Sequence, residues 1–220
     1  MRHEIEVLAD AESVARSAAE YVAECAEAAV ARHGRFTFAV SGGHTPWAMF
    51  GQLGADDVPW EETVLYQVDE RIAPAADPDR NLTHLRESLG EAPTEVIAMP
   101  VDDPDQAGAA ARYAALLPER FDLVHLGLGP DGHTASLVPG DPVLEETDRL
   151  VGITGTYQGR QRMTLTYRAL ARADQILWLV TGDDKKAPLA RLLAGDRSIP
   201  AGRVQAAHSL VLADAAAGVI

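Results

Sequence analysis

Between Asp10 and Arg32, Val14, Ala18, Tyr21, Val22 and Cys25 recur at spacings that place them on one face, while Glu12, Arg16, Glu20, Glu24 and Glu27 lie elsewhere. That pattern predicts a long helix, capped by Asp10 and stopped at Gly34. Residues 36–40 are rich in β-formers and predict a buried strand. Similar runs predict strands over 63–68, 95–99, 121–126 and 175–180, with shorter ones at 149–154, 161–166 and 209–212. Helical spacing returns from Pro46 to about Leu53, over 82–89 and 107–117, and after Lys186 to about Ala194; 155–159 is Gly-rich and predicts a loop. Alternation of strands and helices predicts an α/β fold, a mostly parallel, doubly wound, Rossmann-like sheet with helices on both faces. No repeat or low-complexity linker divides the chain, so one domain over residues 1–220 is expected.

Composition narrows the function. Apolar residues make up 47% and aromatics only 5%, so the core must rest on Ala, Val, Leu and Ile. Nineteen Lys and Arg against 33 Asp and Glu leave a formal charge of −14, which repels nucleic acid and anionic membrane surfaces. A small phosphate ester remains compatible, because a few cations and backbone N–H groups can converge locally. Cys25 is the single cysteine, and the N-terminal stretch from Met1 to Glu6 has no apolar signal region, so a cytoplasmic protein is expected, a monomer or weak homodimer.

Four predicted strands end in polar chemistry: Ser41 to Thr45, Asp69 to Arg71, Asp131 to His133, and Gly182 to Lys185. In a parallel sheet those ends share one edge, where ligands bind. Ser41-Gly42-Gly43-His44-Thr45-Pro46 frees the backbone before a helix that Thr45 can cap; it fits a phosphate cradle, and equally a ligand-free strand-to-helix turn. Asp69 offers a carboxylate to a substrate hydroxyl and Arg71 a bidentate grip on phosphate, with Lys185 and Arg162 as further cations; each alone also fits a solvated surface charge. His44 reads as a rim residue. His133 follows a Gly-Pro-Asp-Gly turn where a small helix could begin, and Asp131 is close enough to hold its ring in one tautomer, the arrangement of a general base. No further His, Cys or carboxylate group has ligand spacing to this pair, so neither metal nor cofactor is expected.

The run Phe121-Asp122-Leu123-Val124-His125-Leu126-Gly127-Leu128-Gly129-Pro130-Asp131-Gly132-His133-Thr134-Ala135-Ser136-Leu137-Val138-Pro139-Gly140 closely resembles the signature of the 6-phosphogluconolactonases. Ser41-Gly42-Gly43, Thr45-Pro46, Asp69-Glu70-Arg71, Asn81, Arg162-Met163-Thr164-Leu165-Thr166 and Gly182-Asp183-Asp184-Lys185 match in the family's order. The resemblance implies hydrolysis of 6-phosphogluconolactone to 6-phosphogluconate, the second step of the oxidative pentose phosphate pathway, without a metal. It implies that His133 activates water and Asp131 orients it. Gly42, Gly43, Thr45, Arg71, Arg162 and Lys185 would hold the phosphate, with Asp69 near the sugar hydroxyls. Two positions depart from the family: His44 stands where Ser or Arg is usual, and Val138 replaces a Phe.

Two rivals share such a fold. Glucosamine-6-phosphate deaminase/isomerases carry a second carboxylate soon after the Asp-Gly-His triplet, whereas here Thr134 to Gly140 holds no acid before Asp141. Sugar-phosphate sensors of transcription regulators ordinarily begin with a helix-turn-helix, whereas this chain opens on an acidic, Ala-rich helix.

Overall fold

The apolar runs pair side by side into a seven-stranded, all-parallel sheet in the computed structural model, which describes residues 3–53, 58–75 and 77–218. The elements in chain order are β1 (Glu4–Leu8), α1 (Ala11–His33), β2 (Phe36–Val40), α2 (His44–Gln52), β3 (Thr63–Gln67), β4 (Asp69–Arg71), α3 (Asn81–Leu89), β5 (Glu95–Ile97), α4 (Gln106–Leu116), β6 (Phe121–Gly127), β7 (Val151–Ile153), β8 (Arg162–Leu165), α5 (Tyr167–Leu170), β9 (Ala173–Val180), α6 (Lys186–Leu193) and β10 (His208–Asp214). Sheet order is β1-β10-β9-β6-β2-β3-β5. Met1, Arg2 and Ala76, which belong to the predicted N-terminal stretch and the loop before α3, lie outside the described residues.

Side chains leave each strand alternately up and down, and both faces are covered. One core gathers Phe36, Phe38, Leu65, Leu123 and Leu177 against Val14, Ala18 and Val22 of α1, Met49 of α2 and Leu85 of α3. The other gathers Tyr66, Val124, Ile176 and Trp178 against Tyr113 of α4 and Leu189 and Leu192 of α6. Caps follow the pattern: Asp10 accepts the Ser13 N–H at 2.8 Å and Gly34 closes α1 at φ 80°.

Two elements differ from expectation. Glu4–Leu8 forms an outer strand, β1, whose alternating acid and apolar residues pair only with β10 and leave Ile5 and Val7 exposed. Asp69–Arg71, expected only as the polar end of the strand over 63–68, is a strand of its own, β4, which joins β8 and β7 in a separate three-stranded antiparallel sheet.

Chain order reverses between β2 and β6: β3 and β5 lie outward of β2, while β9 and β10 lie outward of β6. In such sheets the ligand crevice opens past the carboxyl ends of the strands at that reversal. The opposite ends are tied by Asp122, which accepts from the Thr37 N–H at 2.9 Å, the Thr37 hydroxyl at 2.8 Å, His33 Nε2 at 2.8 Å and Arg32 at 2.8 Å. Burial works against ionisation of this carboxyl, but Thr37 and His33 outweigh it and hold it below its ordinary value of 3.8. A depressed folded pKa adds stability above the unfolded value, and that stability is lost as pH falls through the folded one. Asp122→Asn is therefore expected to cost about 2 kcal/mol near neutral pH. The deficit relative to the parent should shrink in acid, a trend that urea titrations at neutral and acid pH will measure.

Candidate active site

A cleft of about 450 Å³ opens at the reversal. Its first wall is the turn after β2. Gly43 sits at φ 143° and is the N-cap of α2, with no side chain capping it. Pro46 brings no N–H, so the donors at this helix end are backbone groups of the preceding residues, set at the positive end of the helix dipole. Gly42 has no room for a side chain, because a Cβ there would lie 2.1 Å from Asn81 Oδ1. Thr45 is not the cap: it lies within α2, and its hydroxyl pairs with that of Thr181 at 3.0 Å, joining α2 to the end of β9.

The second wall comes from β4 and the start of α3. Arg71 donates to Asn81 Oδ1 at 2.8 Å and to the Asp79 carbonyl at 2.6 Å, which fixes the guanidinium over the cleft. Asn81 Nδ2 in turn donates to the Asp69 carbonyl at 3.0 Å. Beneath them Glu70 is fully buried and accepts the N–H groups of Arg71, Asn81 and Leu82 and the side-chain amide of Gln67, each at 2.8 Å. Its carboxylate thus takes up α3's first donors and anchors both cleft residues. Asp69, also buried, receives the Ser136 hydroxyl at 2.5 Å. Burial pushes the Asp69 carboxyl above its usual range, and Ser136 and Arg162 only partly offset this.

The third wall is the turn after β6. Asp131 Oδ1 accepts the His133 N–H at 3.0 Å and faces His133 Nδ1 at 2.5 Å. Burial disfavours the Asp131 carboxylate, yet these contacts with His133 outweigh it and lower its pKa. An ionised carboxylate can only accept, so Nδ1 carries the ring proton and Nε2 presents a lone pair. Gly129 is the base of the turn: its N–H donates to the His133 carbonyl at 2.8 Å, and a Cβ there would lie 2.1 Å from His133 Nδ1 and Cε1. Gly129→Ala must therefore displace the imidazole. We expect turnover to fall by about a hundredfold, read from steady-state kinetics with binding of a product analogue as control.

Tyr157 and Gln158 complete this wall from the Gly-rich loop. The Tyr157 ring meets His133 edge-on at 5.7 Å and carries the Arg162 guanidinium 5.2 Å from its centroid. Gln158, at φ 51°, accepts from Arg162 at 3.1 Å. Lys185 follows β9, with Nζ on Asp184 Oδ2 at 2.5 Å; the turn before it is held by Asp214, whose two oxygens accept the Gly182 N–H at 3.1 Å.

Of the residues singled out from sequence, Ser41, Gly42, Gly43, His44, Thr45, Asp69, Arg71, His133, Arg162 and Lys185 all line this cleft. Asp131 stands behind His133 rather than on the wall. No helix begins at Asp131–His133; a tight turn with a Thr134–Leu137 bridge does, and the next helical turn is the 3-10 segment Pro142–Glu145. Lys185 lines the cleft, whereas Lys186 already belongs to α6. Asn81, Tyr157, Gln158 and His125 also line it. Asn81 was visible as a motif residue; Tyr157 and Gln158 carried only the signal of a Gly-flanked loop. Among the described residues, no group of three or more His, Cys, Asp or Glu is placed to hold a metal, and no helix is long and apolar enough to cross a membrane.

Residues 9–213 match the family model described as glucosamine-6-phosphate isomerases/6-phosphogluconolactonase. A 6-phosphogluconolactonase of a Nostoc species is 33% identical, with 99% of this chain and 98% of that one covered. One from Caulobacter vibrioides is 35% identical, over 88% of this chain and 94% of that one. Among solved structures, a 6-phosphogluconolactonase from Thermotoga maritima superposes with a TM-score of 0.87 at 26% identity, covering 97% of this chain and 100% of that one.

Proposed function

The chain belongs to the glucosamine-6-phosphate isomerase/6-phosphogluconolactonase family, and from that premise we propose that it hydrolyses 6-phosphogluconolactone to 6-phosphogluconate, with His133 as the base that activates water. It is thus a sugar-lactone hydrolase of the pentose phosphate pathway. The observation that carries the reading is the meeting, in one cleft, of a helix-end turn and three cations with an oriented His–Asp pair.

Phosphate bound by the Ser41–Thr45 turn, Arg71, Arg162 and Lys185 would fix one end of the substrate. Asp69 would accept from a sugar hydroxyl. His133 Nε2 then removes a proton from water as its oxygen attacks the lactone carbonyl carbon. The resulting tetrahedral oxyanion re-forms the carbonyl and breaks the bond to the ring oxygen, and His133 returns the proton to that oxygen. Asp131 stabilises the imidazolium between the two transfers. Remote phosphate binding orients the reacting ester, which the enzyme needs because the lactone also opens unaided in water. In this reading the enzyme works in the cytoplasm as a monomer or weak homodimer.

Isomerisation is disfavoured by the fate of Asp141, the first acid after His133. It accepts the N–H groups of Val143 and Gly155 and caps a 3-10 turn away from the cleft wall. The deciding assay follows freshly generated 6-phosphogluconolactone: hydrolysis well above the spontaneous rate is expected, with no ammonia released from glucosamine 6-phosphate. Lactone loss at the spontaneous rate would refute the assignment.

A further inference from the structure

The strands that flank the crevice, β2 and β6, pair only at Phe38 with Leu123 and at Ala39 with Val124. Their outer neighbours continue further: β3 stays beside Val40, and β9 stays beside Gly127. The sheet therefore opens where chain order reverses, and the Ser41 N–H leaves the ladder. It donates instead to Nδ1 of His125, 3.3 Å away.

His125 projects from β6 on the face of Leu123. It is fully buried, yet it borders the cleft beside Ser41, Leu179 and Thr181. A backbone N–H can only donate, so Nδ1 is the bare nitrogen and Nε2 carries the proton. Among the described residues that Nε2–H has no partner, and neither has the buried Ser41 hydroxyl. An unpaired buried donor costs free energy that Leu or Val at the same place would not. Packing alone thus gives no reason for an imidazole here; the bond to Ser41 does.

We propose that His125 is a positioning residue for the anion-binding turn: its Nδ1 stands in for the missing ladder acceptor and holds Ser41, and through it Gly42 and Gly43, where their backbone faces the substrate's phosphate. The inference rests on the proposed role of that turn as the phosphate cradle. Burial pushes the His125 pKa down to about 3, so protonation does not remove the acceptor at neutral pH. Two histidines eight residues apart thereby serve opposite ends of the substrate: His133 works on the reacting ester, and His125 sets the cradle without touching the reacting atoms.

Two substitutions separate holding from filling. His125→Leu keeps the bulk and removes the acceptor, and His125→Asn keeps an acceptor near the Nδ1 position. His125→Leu is expected to weaken binding of inorganic phosphate and of 6-phosphogluconate by about tenfold, to raise KM likewise, and to leave kcat within about threefold. His125→Asn should recover most of the binding. Equal losses in the two variants, or phosphate binding by His125→Leu within about twofold of the parent, would overturn the proposal. Calorimetry of phosphate binding does not depend on turnover. A parent protein that binds phosphate but leaves the lactone untouched refutes the lactonase reading, while the variant comparison still judges His125. Nitrogen NMR of the parent protein gives a check that needs no variant. An Nε2–H tautomer at His125, with the Ser41 amide shifting as phosphate is added, supports the role, and an Nδ1–H tautomer overturns it.

Discussion

Replacing His133 by Ala should lower kcat by about a thousandfold while leaving the Kd for 6-phosphogluconate within about threefold. The asymmetry follows from the geometry. Among the imidazoles lining the cleft, His133 is the one whose Nδ1 is taken by a carboxylate, which leaves the lone pair on its Nε2. The proposed phosphate ligands come from β4, β8, the turn after β2 and the turn after β9, and none of them is held by the imidazole. Stopped-flow loss of the lactone and calorimetry of product binding measure the two quantities separately. A kcat unchanged within about threefold would remove His133 from the mechanism. Asp131→Asn is the companion: an amide in place of the carboxylate no longer stabilises the imidazolium, so turnover should fall while the fold is kept.

A second large effect is expected at Glu70, which lies under the cleft and touches no substrate in the proposed mechanism. Its carboxylate accepts three backbone N–H groups and the Gln67 amide, and Arg80 Nε stands 3.7 Å from it with both side chains buried. In Glu70→Gln one oxygen becomes an NH2 that faces donors, and the buried Arg80 loses its counter-charge. A loss of about 3 kcal/mol is expected, or roughly 10 °C in Tm for a chain of this size. Because Arg71 and Asn81 hang from the same carboxylate, KM should rise several-fold more than kcat falls. Thermal unfolding and steady-state kinetics together test this, and a variant as stable as the parent would show that the network is redundant.

The order of strands and helices was legible in the chain because most of these elements are buried on a regular period. Phe36–Val40 is buried throughout, Phe121–Gly127 and Ala173–Val180 are mostly apolar, and α1 repeats its small residues on one face. The cleft residues were legible for a related reason. In a parallel sheet each strand's carboxyl end is a fixed place, so polar residues just past four strands had to gather at one edge. Glycines at 42, 43 and 129 marked where the backbone must come close to something, although not to what.

Other features depended on partners far away in sequence. β1 alternates acid and apolar residues at an edge, a pattern too weak to separate from a loop until β10 lies beside it. Asp69-Glu70-Arg71 looks like a solvated charge cluster locally. Asp69 and Glu70 are buried because β8 pairs with them and because donors that satisfy Glu70 lie at Asn81 and Leu82, eleven and twelve residues on. His125 reads as a polar break in an apolar strand, and its purpose emerges only when β2 parts from β6 and Ser41 needs an acceptor. Local periodicity by itself determined most of the secondary structure and the residues that could meet. Long-range pairing alone decided which charges are buried and what holds each one, since the energy of a buried polar group is set by neighbours that sequence distance does not reveal.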